Sequence, residues 1–308
     1  MSRSTASFAN LLLCLSLFGA AANAAEADTT GAAKAPVPLA LPDPWITEGD
    51  TWGGFYPAPE EYSLRSPIFP DYDEEAAISP YEPMYVVLGG KGGVTARFQF
   101  SFKYRVFDAD SFVVNSVRPL RDFYLAYSQT SLWDLNEESK PFKDTSYRPS
   151  AFWQGLGPGR DGLPHLVRAG YEHESNGQAD VQSRSIDMLF VQPIWRTSLH
   201  EQELVFAPKF YTYIEKEDNP DIHRYRGNVD WIVRYGSQND WLAAVLVRGF
   251  THGRGSVQLD LSYPLRAPVF YRAGGFFYVQ LFQGYGESLL EYNKERGPSL
   301  RVGVGIVR

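Results

Sequence analysis

The sequence predicts an all-β protein, a twelve-stranded antiparallel transmembrane β-barrel over residues 81–308. Three observations carry this. Apolar residues recur at every second position in segments of about ten residues, enough to cross a bilayer when a strand is tilted. The apolar faces repeat along the whole chain with no helical segment to cover them. Aromatic residues reach 15 %, with 19 Tyr and 20 Phe, as girdles at two membrane interfaces require. A soluble sandwich would also alternate, with charges out and apolar residues in. Strand length and the lack of covering helices favour the barrel.

The elements follow in chain order. Residues 1–24 read as an export signal: Arg3 supplies positive charge, 11–18 form a short apolar core, and Ala22-Asn23-Ala24 is an A-x-A cleavage site. A lipoprotein signal ending at Cys14 is disfavoured by the bulky Leu13 before it and the apolar sequence after it. Cys14 is the single cysteine of the chain, so cleavage leaves no thiol to pair or to bind metal. Residues 25–80 are rich in Ala, Pro, Asp and Glu and read as an extended periplasmic segment. No apolar run long enough for a membrane helix follows the signal. The net charge of -7 argues against nucleic acid as a partner.

Period two begins near residue 81. Phe98, Phe100, Phe102 and Tyr104 alternate with Gln99, Ser101, Lys103 and Arg105. Tyr225, Val229, Trp231, Val233 and Tyr235 alternate with polar residues that include Asp230 and Arg234. Val257, Leu259, Leu261 and Tyr263 alternate with Gln258, Asp260 and Ser262, and Leu300, Val302, Val304 and Ile306 close the chain. Strands are expected to start near Pro83, Ala96, Arg121, Arg148, Pro164, Ser183, Glu201, His223, Asp240, Gly255, Ala267 and Leu300. This even count fits a closed bacterial barrel. The run 157–162, Gly-Pro-Gly-Arg-Asp-Gly, reads as a turn at the periplasmic end.

The chemistry-bearing stretch is Tyr171-Glu172-His173-Glu174-Ser175-Asn176-Gly177. In a strand, residues two apart share a face. His173 and Ser175 share theirs with Val167, Ala169 and Tyr171, so a base and a nucleophile project from the apolar side. Polar groups facing hydrocarbon are costly and usually functional. A serine hydroxyl needs a base, and the base needs a third group to fix its tautomer. A hairpin centred near Asp180 puts Asp187 directly across from His173, about 5 Å away. Ile186, Met188 and Phe190 are apolar too, so parity alone leaves the outer face of that strand open. Gln129 is likewise an amide on an apolar face, shared with Phe123, Leu125, Tyr127 and Trp133. It reads either as an interfacial residue or as a contact between subunits. Asp180 by itself reads as a turn residue, and Asp218 by itself starts an Asp-Asn-Pro turn.

Glu172-His173-Glu174-Ser175-Asn176-Gly177 followed by Ser183-Arg184-Ser185 resembles the signature of the outer-membrane phospholipase A family. So do Asp218-Asn219-Pro220-Asp221-Ile222, Gly284-Tyr285-Gly286-Glu287-Ser288-Leu289, Arg301-Val302-Gly303-Val304-Gly305, Glu137-Glu138-Ser139 and Pro141-Phe142. The blocks occur in the family's order from about residue 81 to the end. The resemblance implies a twelve-stranded outer-membrane barrel with its active site on the lipid-facing wall, hydrolysing acyl esters of phospholipids and lysophospholipids. It implies Ser175 as nucleophile, His173 as general base, and Asp187 where better-known members have asparagine. It implies Gly177 as an oxyanion donor. It implies calcium (Ca2+) bound by Ser183 and the Gln178 carbonyl, with the Ser139 carbonyl from a partner subunit, and a second calcium position at Asp180 and Asp218. It also implies an active homodimer with Gln129 at the contact. A different class of function, a structural or channel-forming barrel that has lost catalysis, would suit a charged lumen, but the joint presence of Ser175, His173, Ser183 and Gln129 argues against it.

Overall fold

The computed structural model describes residues 77–108, 110–237, 239–250, 253–265 and 275–308. Residues 1–24, expected to be an export signal, and nearly all of the segment 25–80 lie outside the described residues.

Twelve antiparallel strands close on themselves. In chain order they are β1 (Ile78–Pro80 continued by Met84–Gly89), β2 (Thr95–Arg105), β3 (Phe123–Asp134), β4 (Phe142–Leu156), β5 (Leu166–Ser175) and β6 (Ser185–Leu199). Then come β7 (Gln202–Phe206 continued by Lys209–Glu215), β8 (Val229–Gly236), β9 (Leu242–Gly249), β10 (Gly255–Pro264), β11 (Phe276–Tyr285) and β12 (Glu295–Val307). Each strand pairs with its chain neighbours, and β12 pairs with β1 (Val302 opposite Leu88). That closure removes the two edges an open sheet would expose to hydrocarbon. Both interrupted strands keep to one track: each piece of β1 lies along β2, and each piece of β7 lies along β6 and β8. Pro208 sits in the gap in β7, where its missing N–H could not serve the ladder. The barrel wall begins at Ile78, just before the boundary read from the sequence.

The wall is inside-out compared with a soluble protein. Lys103 is 1 % exposed and Arg301 2 %, whereas Leu189 is 49 % and Leu300 56 % exposed. Many of the inner charges are paired: Arg148 with Glu82 (2.5 Å), Lys209 with Glu172 (2.8 Å), Arg226 with Glu174 (2.6 Å), Arg248 with Asp230 (2.7 Å) and Arg301 with Glu287 (2.7 Å). Part of the interior is apolar. Tyr124, Phe152, Ile186, Met188, Phe190 and Tyr211 line the wall, and Ile222, Leu289 and Tyr292 pack onto them from two loops. Ile186, Met188 and Phe190 therefore point inward, which turns Asp187 out. A cavity of about 240 Å³ remains among these groups.

Several expected starts move. β4 begins at Phe142, six residues before Arg148, and runs through Pro149. β12 begins at Glu295, ahead of Leu300. His223–Arg226 forms a helical turn that Gly227 ends at φ 73, so β8 starts only at Val229. The segment expected from Ala267 becomes β11 at Phe276, and 266–274 lie outside the described residues. The run 157–162 does form part of the β4–β5 connection, at the barrel end opposite the 176–184 loop.

Candidate active site

β5 and β6 form a hairpin whose register fixes the site. His173 pairs with Asp187 and Ser175 with Ser185. The inner residues of β5 are the buried Leu166, Arg168, Glu172 and Glu174. His173 and Ser175 consequently face outward with Tyr171. His173 Nδ1 lies 2.6 Å from Asp187 Oδ1, and both side chains are about one-third exposed or less (32 % and 27 %). Bonding at Nδ1 leaves Nε2 as the nitrogen that could take a proton from Ser175. Ser175 Oγ makes no hydrogen bond to His173 among the described residues. Such bonds are often long before substrate arrives.

The neighbouring strand adds a local irregularity. The register on either side (Tyr147 opposite Ser175, Ser150 opposite Glu172) sets Pro149 across from His173. Proline has no N–H to give, so the ladder breaks beside the histidine.

The loop 176–184 is held by one residue. Asn176 is buried and donates from Nδ2 to the Gln182 carbonyl (2.8 Å). Its Oδ1 accepts from the N–H groups of Gln178 (3.3 Å) and Arg184 (3.0 Å). Gly177 follows at φ 66, and a Cβ there would meet the Tyr147 ring at 3.1 Å. Glycine is thus needed for both conformation and space. Asp180 also takes a left-handed conformation (φ 52) and opens a short 3₁₀ turn, Asp180–Gln182.

The calcium-type residues come from two loops. Ser183 Oγ donates to Asp218 Oδ2 at 2.6 Å. The Asp218 loop is pinned by Asn219, which is fully buried and donates to the Ser185 carbonyl (2.8 Å). Further out, the Tyr292 hydroxyl donates to Asp221 (2.7 Å). Burial and that carboxylate push the Tyr292 phenol up to about 12, so it stays a donor at neutral pH. The Ser183 hydroxyl and the Asp218 carboxylate in contact are donors that suit a hard, oxygen-seeking cation. Among the described residues no three His, Cys, Asp or Glu side chains cluster. Carbonyls, hydroxyls and water would therefore have to complete the shell.

Ser139 and Gln129 stand apart from that hairpin. Ser139 is exposed in the turn between β3 and β4, at the same barrel end as the loop 176–184. Gln129 faces outward, with Tyr147 beside it and Ser175 beyond Tyr147 in the same row. Its amide is bonded within its own strand. It accepts from the Tyr127 hydroxyl (2.9 Å) and donates to Ser131 Oγ (3.2 Å).

Sequence reasoning gave no role to Asn176, Asn219 or Tyr171. The first two act through loop backbone, which leaves no periodic signal. Tyr171 was within reach: it shares the face of His173 and lies diagonal to Asp187.

The family model described as Phospholipase A1 matches residues 71–307. Phospholipase A1 of Escherichia coli (strain K12) is 34 % identical over 189 residues, covering 59 % of this chain and 60 % of that protein. Phospholipase A1 of Proteus vulgaris is 33 % identical over 189 residues, with the same coverage. The chain thus matches about 60 % of the length of these curated relatives. Among solved structures, outer membrane phospholipase A from Escherichia coli superposes with a TM-score of 0.64 at 24 % identity, covering 80 % of this chain and 97 % of that one. The Salmonella typhi outer membrane phospholipase, a dimer with bound calcium, gives 0.61 at 24 % identity, covering 74 % and 91 %. The twelve-stranded barrel has the fold of that outer membrane phospholipase A, and the chain belongs to the phospholipase A1 family.

Proposed function

We propose that this chain hydrolyses acyl ester bonds of phospholipids and lysophospholipids in the outer membrane, on the lipid-facing wall of its barrel. The observation that carries the reading is the outward His173–Asp187 pair at 2.6 Å with Ser175 on the same face. In a bilayer the acyl chains surround that face, so a nucleophile placed there meets its substrate directly.

Ser175 Oγ attacks the acyl carbonyl carbon while His173 Nε2 accepts its proton. Asp187 holds the Nδ1–H and offsets the imidazolium charge. The tetrahedral oxyanion gains a donor from the Gly177 N–H. Collapse breaks the ester C–O bond, and His173 returns its proton to the departing lysolipid alkoxide. Water, deprotonated by His173, then releases the fatty acid from Ser175. Ser183 and the Gln178 carbonyl, with Ser139 of the partner subunit, would hold calcium, and Asp180 with Asp218 a second ion. Bound calcium supplies positive charge toward the developing oxyanion.

Dimerisation is part of the reading. Gln129 keeps unused donor and acceptor capacity after its two local bonds, and an amide facing hydrocarbon gains by meeting another. The channel alternative is weakened by the paired inner charges and by Ile222, Leu289 and Tyr292 packed into the interior. Refolded protein in detergent, assayed on phospholipid with calcium and with a chelator, tests the whole. Ester cleavage that the chelator abolishes is expected. No cleavage by a verified dimer at saturating calcium would sink it.

A further inference from the structure

The tyrosine hydroxyl beside the His173–Asp187 pair has no part in the mechanism above. Tyr171 precedes His173 by two residues, so both face outward. Its cross-strand partner is Leu189, and Asp187 is its diagonal neighbour. A long side chain spans such a diagonal. The Tyr171 hydroxyl donates to Asp187 Oδ1 at 2.8 Å, and the same oxygen lies 2.6 Å from His173 Nδ1. Among the described residues these are the only two hydrogen-bond partners of the Asp187 side chain.

The chemistry gives this contact a purpose. Asp187 carries a full charge on the wall that faces hydrocarbon, where an amide would carry none. A second carboxylate, Glu215 on β7, stands opposite it across a bulge and adds like charge rather than relief. The Tyr171 phenol supplies a donor without an additional charge and fixes the direction of Oδ1. With Oδ1 held, Nδ1 is held, which leaves Nε2 as the nitrogen free to serve Ser175.

We propose that Tyr171 is a positioning residue for the catalytic set, acting through Asp187. The proposal rests on the hydrolase reading given above. It makes the orienting unit a trio of His173, Asp187 and Tyr171. A purely packing aromatic would serve the wall as well without its hydroxyl.

The test is a double-substitution cycle on the full chain in mixed detergent–phospholipid micelles with calcium. Folding is checked by heat-modifiable gel migration. Tyr171→Phe keeps the ring and removes one oxygen; Asp187→Ala removes the acceptor. Both changes leave the barrel interior untouched. Tyr171→Phe should lower kcat about tenfold, the scale of a hydrogen bond to a charged group, with little change in KM. In the Asp187→Ala background the same change should cost less than about twofold, because the acceptor is gone. A wild-type kcat in Tyr171→Phe would overturn the proposal alone. So would an equal loss in both backgrounds, which would mark Tyr171 as packing only. If the unsubstituted protein cleaves no ester, the hydrolase reading falls and takes this proposal with it.

Discussion

Strand β5 presents two faces of opposite character from adjacent residues. Glu172 and Glu174 point inward, and His173 and Ser175 point out. Each inner carboxylate meets a hydroxyl and a cation: Glu174 accepts from Ser146 and Arg226 (2.6 Å each), and Glu172, through Oε2 alone, from Ser150 (3.1 Å) and Lys209 (2.8 Å). His173 and Ser175 have fewer partners. His173 has Asp187, and Asp187 has His173 and Tyr171. The inner charges are matched by other charges and hold the wall in register. The outer groups keep free atoms, Nε2 and Oγ, that no structural role consumes. The inner carboxylates are matched by cations, whereas the outer base and nucleophile keep their reactive atoms free.

Substitutions on the two faces should separate accordingly. The largest effect is expected on the outer face: Ser175→Ala should lower lipid hydrolysis about 10⁴-fold or more while the barrel stays as stable as before. A steady-state assay beside a urea titration measures both. Next comes the inner face. Glu174→Ala strands Arg226, and breaking a buried pair costs about 3–5 kcal/mol. The urea midpoint should fall, while the rate per folded molecule changes far less than in Ser175→Ala. If Glu174→Ala instead left stability intact and removed activity, the division of labour would be wrong.

Smaller effects sharpen the outer face. Ser183→Ala removes the hydroxyl that reaches Asp218 at 2.6 Å. It should raise the calcium needed for half-maximal hydrolysis about tenfold. An unchanged calcium titration would remove Ser183 from the metal site. The smallest effect is expected for Asp187→Asn. The amide oxygen can still accept from His173, and the charge facing hydrocarbon disappears, so activity should drop less than about tenfold. Near-complete loss with an intact fold would show that charge, not orientation, is the essential part.

Much of this was legible from alternation alone. The outward face of the His173 strand followed from period two. That of the Asp187 strand did not, because both its faces are apolar. The register between His173 and Asp187 followed from a hairpin centred near Asp180. The helical turn at His223–Arg226 was misread as strand because Tyr225 happens to continue the alternation of Val229 and Trp231. The early start of β4 was hidden by Pro149, which interrupts pairing without ending the strand. The clamps at Asn176 and Asn219 were invisible for a different reason. They bond to backbone of residues six and 34 positions away, and a side chain that reaches main chain asks nothing of its partner's identity.

The central claim is that the outward Ser175 is made nucleophilic by His173. Covalent labelling by a lipid-like fluorophosphonate, mapped by peptide mass spectrometry, tests it most directly. In folded protein with calcium the adduct should sit on Ser175 and vanish in His173→Ala. An adduct on a different serine, or equal labelling of Ser175 without His173, would contradict the account.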